Sequence, residues 1–159
     1  MAWAKNGTPT TLGSAGDDMD ITDLTAYKFN MFMSHTISSG AITINANIDN
    51  ISTSSYALRE NTDGTGETTK INQTTLEALL QTSSSDGFII IYGINIDGEE
   101  KLIISNSVRN NTAGAGTAPN RREIVGKYTG SSQYTRIDFN NPGAGSYDTD
   151  SNLSALGTD

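Results

Sequence analysis

No cysteine occurs among the 159 residues, which excludes disulfide staples, thiolate nucleophiles and thiolate-held zinc. Histidine occurs once, at His35. Neither G-x-S-x-G nor H-E-x-x-H surrounds it, so serine-triad and histidine-assembled metal chemistry have no frame. It follows an apolar stretch and reads as an ordinary polar residue at a strand end. Charge is sparse at 18% of residues, less than helical surfaces usually carry. Positive charge is sparser still: ten Lys and Arg stand against eighteen Asp and Glu, a formal net charge of −8. Such a field repels phosphate, so neither nucleic acid nor an anionic membrane is an expected partner. No apolar run approaches the length of a membrane span; the densest covers only residues 88–92. The opening "MAWAKNGTPTTLG" lacks the apolar centre of a secretory leader, so no signal peptide is expected.

What the chain has instead is glycine (16 residues), abundant Asn, Ser and Thr, and a hydrophobic fraction of 35%. A thin core under many polar loops suits a β-sandwich better than a helical bundle. The length fits one domain, 1–159, with residues 1–18 read as an extended N-terminal arm. Patterning agrees. In "MDITDLTAYKFNMFMSHTI", read as one strand, Met19 and Ile21 share a side. Further on, Tyr27, Phe29, Met31 and Met33 alternate with Lys28, Asn30 and Ser34. "AITINANID" alternates Ile42, Ile44, Ala46 and Ile48 with Thr43, Asn45 and Asn47. "SYALRE", "TTKINQ" and "YDTDSNLSALG" read as further strands, and "NNTAGAGTAP" (110–119) as a loop. Asp97-Gly98 predicts a two-residue hairpin turn with both positions at positive φ. The run before it, 88–91, is apolar at every position and predicts a central strand covered on both faces. "RREIVGKYTGSSQYTRIDFN" predicts a second hairpin, turning at Gly130-Ser131. The one helical candidate is "TTLEALLQ" (74–81), where Thr74 and Glu77 have capping-box spacing and Leu76, Leu79 and Leu80 would share a face. These segments predict an all-β antiparallel sandwich of jelly-roll type, with about eight strands.

Candidate chemistry is thin. Eighteen acidic residues guarantee carboxylate pairs at glycosidase spacing by chance, and Asp17, Asp18 and Asp20 read as solvated loop charge. No enzyme is expected. Asp148, Asp150 and Asn152 match the first ligand positions of a calcium loop, but Leu153 replaces the turn glycine. No metal or other cofactor is therefore expected, although a cation at that triad stays open. "GTGE" and "GAGTAP" lack the strand, helix and lysine of a phosphate cradle. Five Asn-x-Ser/Thr sequons, at Asn6, Asn50, Asn72, Asn110 and Asn152, read as chance in so Asn- and Thr-rich a chain. The aromatic residues remain. Most of the six tyrosines read as core or rim, whereas Trp3 sits in a terminal segment with little apolar company. An isolated tryptophan there is expected to pack against a neighbour, such as another subunit.

Several stretches together resemble a family of small β-sandwich proteins of tailed phages, especially marine ones. They are "MAWAKNGTP", "GDDMDITDLTAYKFNMFMSH", "NIDNISTSSYALRENTDG", "NIDGEEKLIIS" and "RIDFNNPGAGSYDTDSNLSALG". The pattern N-x-D, then Y-A-x-R, then S-x-L-x-x-x-G is similar to jelly-roll virion proteins of tail, fibre or capsid surface. The ending departs from the commoner one, with Ala155-Leu156 where an aromatic usually precedes the last glycine. The resemblance implies a non-enzymatic structural protein, made in the host cytoplasm and released by lysis into the virion. It implies assembly with other virion proteins and with copies of itself, by analogy as a homotrimer. The alternative is a carbohydrate-binding module that recognises host glycans through aromatic and Asn/Asp side chains.

Overall fold

The computed structural model describes residues 2–83, 85–110 and 112–159. Among the described residues there are thirteen strands and no helix. In chain order these are β1 (Ala4–Lys5), β2 (Thr10–Thr11), β3 (Asp18–Ile21), β4 (Phe29–Thr36), β5 (Ala41–Ile48), β6 (Tyr56–Thr62) and β7 (Thr65–Gln73). They continue as β8 (Leu76–Ser83), β9 (Gly87–Ile94), β10 (Lys101–Arg109), β11 (Asn120–Tyr128), β12 (Ile137–Asn140) and β13 (Asn152–Thr158). A nine-stranded sheet runs β1-β13-β4-β9-β10-β11-β6-β7, with β2 also on β13, and a four-stranded sheet runs β3-β12-β5-β8. All pairings are antiparallel, and the small sheet packs on the large one with β8 lying over β9, β10, β11 and β6. The expected all-β sandwich is what forms. The strand order establishes the two layers but not a jelly-roll winding, and thirteen strands replace about eight.

The core between the layers comes from alternate positions. Ile42, Ile44, Ala46 and Ile48 of β5 face Ile89 and Ile91 of β9 and Ile103 of β10, all almost wholly buried. The same core takes in Met19, Ile21, Phe139 and Leu153, and the rings of Tyr56, Tyr128 and Tyr134. Burial pushes the phenols of Tyr56, Tyr134 and Tyr147 well above their ordinary value. Sequons cannot matter at Asn6, which is fully buried.

Four local expectations give way to the structure. The helix over 74–81 is instead strand β8. Its register on β5 runs Ala46↔Leu76 and then Ile44↔Leu80, so β8 carries two extra residues in that interval. This bulge lets Leu76, Leu79 and Leu80 all turn inward, at 2%, 0% and 3% exposure. An i, i+3, i+4 spacing thus arises without a helix, because a bulge shifts strand parity. The stretch 19–37 is two strands, β3 and β4, in different layers. The hairpin at Gly130-Ser131 does not form: β11 lies in the large sheet and β12 in the small one, so 129–136 is a crossover. Finally, β9 and β10 are joined by the six-residue loop 95–100, in which Gly98 (φ 81°) but not Asp97 has positive φ.

Lys101 organises that loop. Its side chain is fully buried, and its ammonium donates to the carbonyl oxygens of Ile96, Glu99 and Ser131, the last at 2.8 Å. Burial holds its pKa below the ordinary lysine value, and three carbonyls give the charge the compensation that a buried ammonium needs.

Candidate functional site

On the large sheet the outward positions of β4, β9 and β10 are mostly apolar, and β11 adds Val125 among Arg121, Glu123 and Lys127. β4 turns Asn30, Phe32, Ser34 and Thr36 inward, which leaves Phe29, Met31 and Met33 on the outer side. β9 turns Gly87, Ile89, Ile91 and Gly93 inward and presents Phe88, Ile90 and Tyr92. β10 presents Leu102, Ile104 and Val108, and β11 presents Val125. The run 88–91 is therefore central but not covered on both faces: Phe88 and Tyr92 remain 42% and 43% exposed. The alternation in β4 was legible, but its more apolar side faces out.

Register aligns these side chains. Leu156 lies opposite Met31, Met31 opposite Tyr92, Tyr92 opposite Ile104, and Ile104 opposite Val125. One apolar row thus crosses five strands, about 19 Å at the usual interstrand spacing. Lys5 beside Leu156 and Arg59 beside Val125 bound it. Phe29 opposite Ile94, and Phe88 opposite Val108, extend the apolar surface along the strands. Next to the row a shallow groove of about 640 Å³ is lined by Trp3, Phe29, Tyr92, Ile94, Leu102 and Val125. The inward glycines Gly93 and Gly126 also border it. Its hydrogen-bonding side chains are Asn30 and Thr158, both nearly buried, with the Tyr92 hydroxyl and the Trp3 indole N–H.

Three ion pairs lie around this surface beside Lys5: Arg59 with Glu67 at 2.6 Å, Lys127 with Glu100 at 2.7 Å, Arg121 with Glu123 at 3.4 Å. Inward-facing charges are likewise paired, with Arg122 2.8 Å from Glu60 and Lys70 3.4 Å from both Glu60 and Glu77.

Trp3, expected to lie among few apolar neighbours, in fact flanks the groove at 46% exposure. The arm that carries it is docked: β1 and β2 both pair with β13, and Asn6 is bonded into the interior. The structure thus joins the one singled-out residue to a surface whose other members composition did not reveal. The signal that could have found them is apolarity at both parities of 88–92 together with 102–104.

The remaining candidates sit apart. His35 faces outward on β4, opposite Phe88 and Asn152. Asp148 Oδ1 accepts from the Thr149 N–H, Asp150 has positive φ in a turn, and Asn152 lies in β13, whose next residue, Leu153, is fully buried. Among the described residues no group of three or more His, Asp or Glu side chains is placed to hold a metal ion. Asp17, Asp18 and Asp20 flank or enter β3, where Asp18 and Asp17 accept from the amides of Asn140 and Asn141 and Asp20 pairs with Arg136. Comparison of the chain with protein-family models and with curated proteins finds no match.

Proposed function

We propose that the chain is a non-enzymatic structural protein of a phage particle, at the capsid surface or in the tail or fibre, acting through protein–protein assembly. The observation that carries this reading is the apolar outer face of β4, β9, β10 and β11. Side chains of this kind at the centre of a sheet, ringed by mostly paired charges, have the anatomy of an interface: an apolar middle and a polar rim. The virion setting rests on the resemblance of the segments quoted above.

The carbohydrate-binding alternative has one feature in its favour, the aromatic rings of Trp3 and Tyr92 at a groove. A glycan site also needs accessible hydrogen-bonding groups to fix hydroxyls. Besides the Tyr92 hydroxyl and the Trp3 indole N–H, the groove offers only Asn30 and Thr158, whose side chains are nearly buried. Protein is the better occupant.

The test is co-expression with the products of the flanking genes, followed by affinity capture and electron microscopy, beside a glycan array. The expected result is a stable subassembly that Ile104→Glu abolishes, with no glycan retained. Glycan binding lost in Tyr92→Ala, with no subassembly formed, contradicts the reading.

A further inference from the structure

We infer that the occupant of this face is a second copy of the same chain, so that the protein is a homo-oligomer held together by the outward rows of β4, β9, β10 and β11. The inference rests on the assembly reading above and names the partner.

Area is the first argument. Eight large apolar residues of this face, from Trp3 to Val125, are each between 37% and 57% exposed. At roughly 150–250 Å² for an aromatic residue and less for an aliphatic one, they expose apolar area on the order of 700 Å². That exceeds the roughly 300–600 Å² of the largest patch on an ordinary monomer. It approaches the roughly 800 Å² that each partner contributes to a stable interface. A weak or passing contact does not require so much.

Charge is the second. The molecule carries a net −8, so two copies repel unless the surfaces that meet are balanced. This face is close to balanced: its rim holds the pairs Arg59–Glu67, Lys127–Glu100 and Arg121–Glu123 and the exposed Lys5, four cations against three anions. The outward side of the small sheet is of the opposite kind, with Asp18, Asp20 and Asp138 against the single cation Arg136. Of the two broad outer surfaces, only the first lets like molecules approach. A strongly basic partner would find its complement on the small sheet instead.

The experiment is sedimentation equilibrium of the full chain and of three variants. Ile104→Glu and Leu102→Glu place a carboxylate on exposed positions of the face. Thr43→Glu does the same on the outward side of the small sheet. Far-UV circular dichroism and thermal melts establish that each variant is folded. The expected result is a wild-type mass of two or three times 16.9 kDa, unchanged in Thr43→Glu. It falls to the monomer in folded Ile104→Glu and Leu102→Glu. A wild-type monomer at millimolar concentration overturns the inference, as does an oligomer that only Thr43→Glu disrupts. If the wild type is monomeric yet a flanking-gene product binds it in an Ile104-dependent way, the second copy is excluded and the assembly reading survives. If only glycan binds, both fall.

Discussion

Asn6 and Asn30 meet in the interior, where Asn6 Nδ2 donates to Asn30 Oδ1 at 2.7 Å with both residues at most 1% exposed. Asn6 also donates to Thr25 O at 3.1 Å and accepts from Thr25 N–H at 2.7 Å, while Asn30 donates to Tyr27 O and to the Tyr134 hydroxyl. A two-residue strand pairing such as β1 on β13 holds little by itself. The amide of Asn6 therefore fixes the arm, and with it Trp3, beside the groove.

Replacing that amide tests the arrangement. Asn6→Ala leaves the buried Asn30 Oδ1, and both backbone groups of the exposed Thr25, without these partners. The expected loss is about 3 kcal/mol of unfolding free energy, or a fall in melting temperature on the order of 10 °C. Limited proteolysis should cut the variant within residues 1–11 before any other site. A melt unchanged within 1 or 2 °C contradicts the account at roughly the resolution of such scans.

Lys101→Met keeps the aliphatic stem and removes the ammonium. The carbonyl of Glu99, an exposed residue, then loses its charged donor, whereas Ile96 O keeps the Glu99 N–H at 3.4 Å and Ser131 O the Gly98 N–H at 3.0 Å. A cost of about 1 kcal/mol follows, because the lost charge-assisted bonds are offset by no longer burying an ammonium. Urea titration measures it, with the slope unchanged if only stability is affected.

Leu79 tests the bulge in β8. It is fully buried in the inter-sheet core, so Leu79→Ala should cost about 3 kcal/mol, as core leucine truncations do. A strand without the bulge would turn Leu79 to the opposite side from Leu76 and Leu80, where its truncation would cost far less. Measuring Leu79→Ala beside Leu76→Ala shows whether both truncations are equally costly, as inward-facing positions of one bulged strand require.

Asp63 gives the acid limb. The Arg121 N–H at 2.8 Å, then the Asn120 amide at 2.6 Å, then the nearby Arg109 and Arg121 charges hold its carboxyl below the ordinary 3.8. A folded-state pKa below the unfolded one contributes stability that is present above about pH 4 and is lost as pH falls through the folded value. Asp23, hydrogen-bonded by Thr8, acts in the same direction. The stability of Asp63→Asn should therefore vary less with pH than wild type between about pH 2 and 5. Parallel curves contradict this assignment.

Much of the architecture was legible because β5 and β13 bury one parity of side chain and leave the other wet, which is the pattern that period-two reading detects. Two features were not. The bulge in β8 rotates leucines that would otherwise alternate, and no local rule announces a bulge. The outward apolar rows mislead more deeply. A strand apolar on both faces reads as doubly covered, because a single chain gains nothing by leaving Tyr92 and Ile104 in water. The layer crossing at 129–136 was hidden for another reason: Gly130 and Ser131 suit a turn, but Tyr134 and Ile137 are needed in the core below the small sheet. Trp3 stood out in the sequence because it is the one tryptophan, and the structure places it at the edge of the groove.

That single tryptophan also offers the most direct measurement of the central claim, that the apolar face is covered in the assembled state. Trp3 emission should be blue-shifted at high protein concentration and should move to the red on dilution, towards the emission of folded Ile104→Glu, where the face is open at every concentration. An emission maximum that is the same in wild type and Ile104→Glu, and indifferent to dilution, contradicts it.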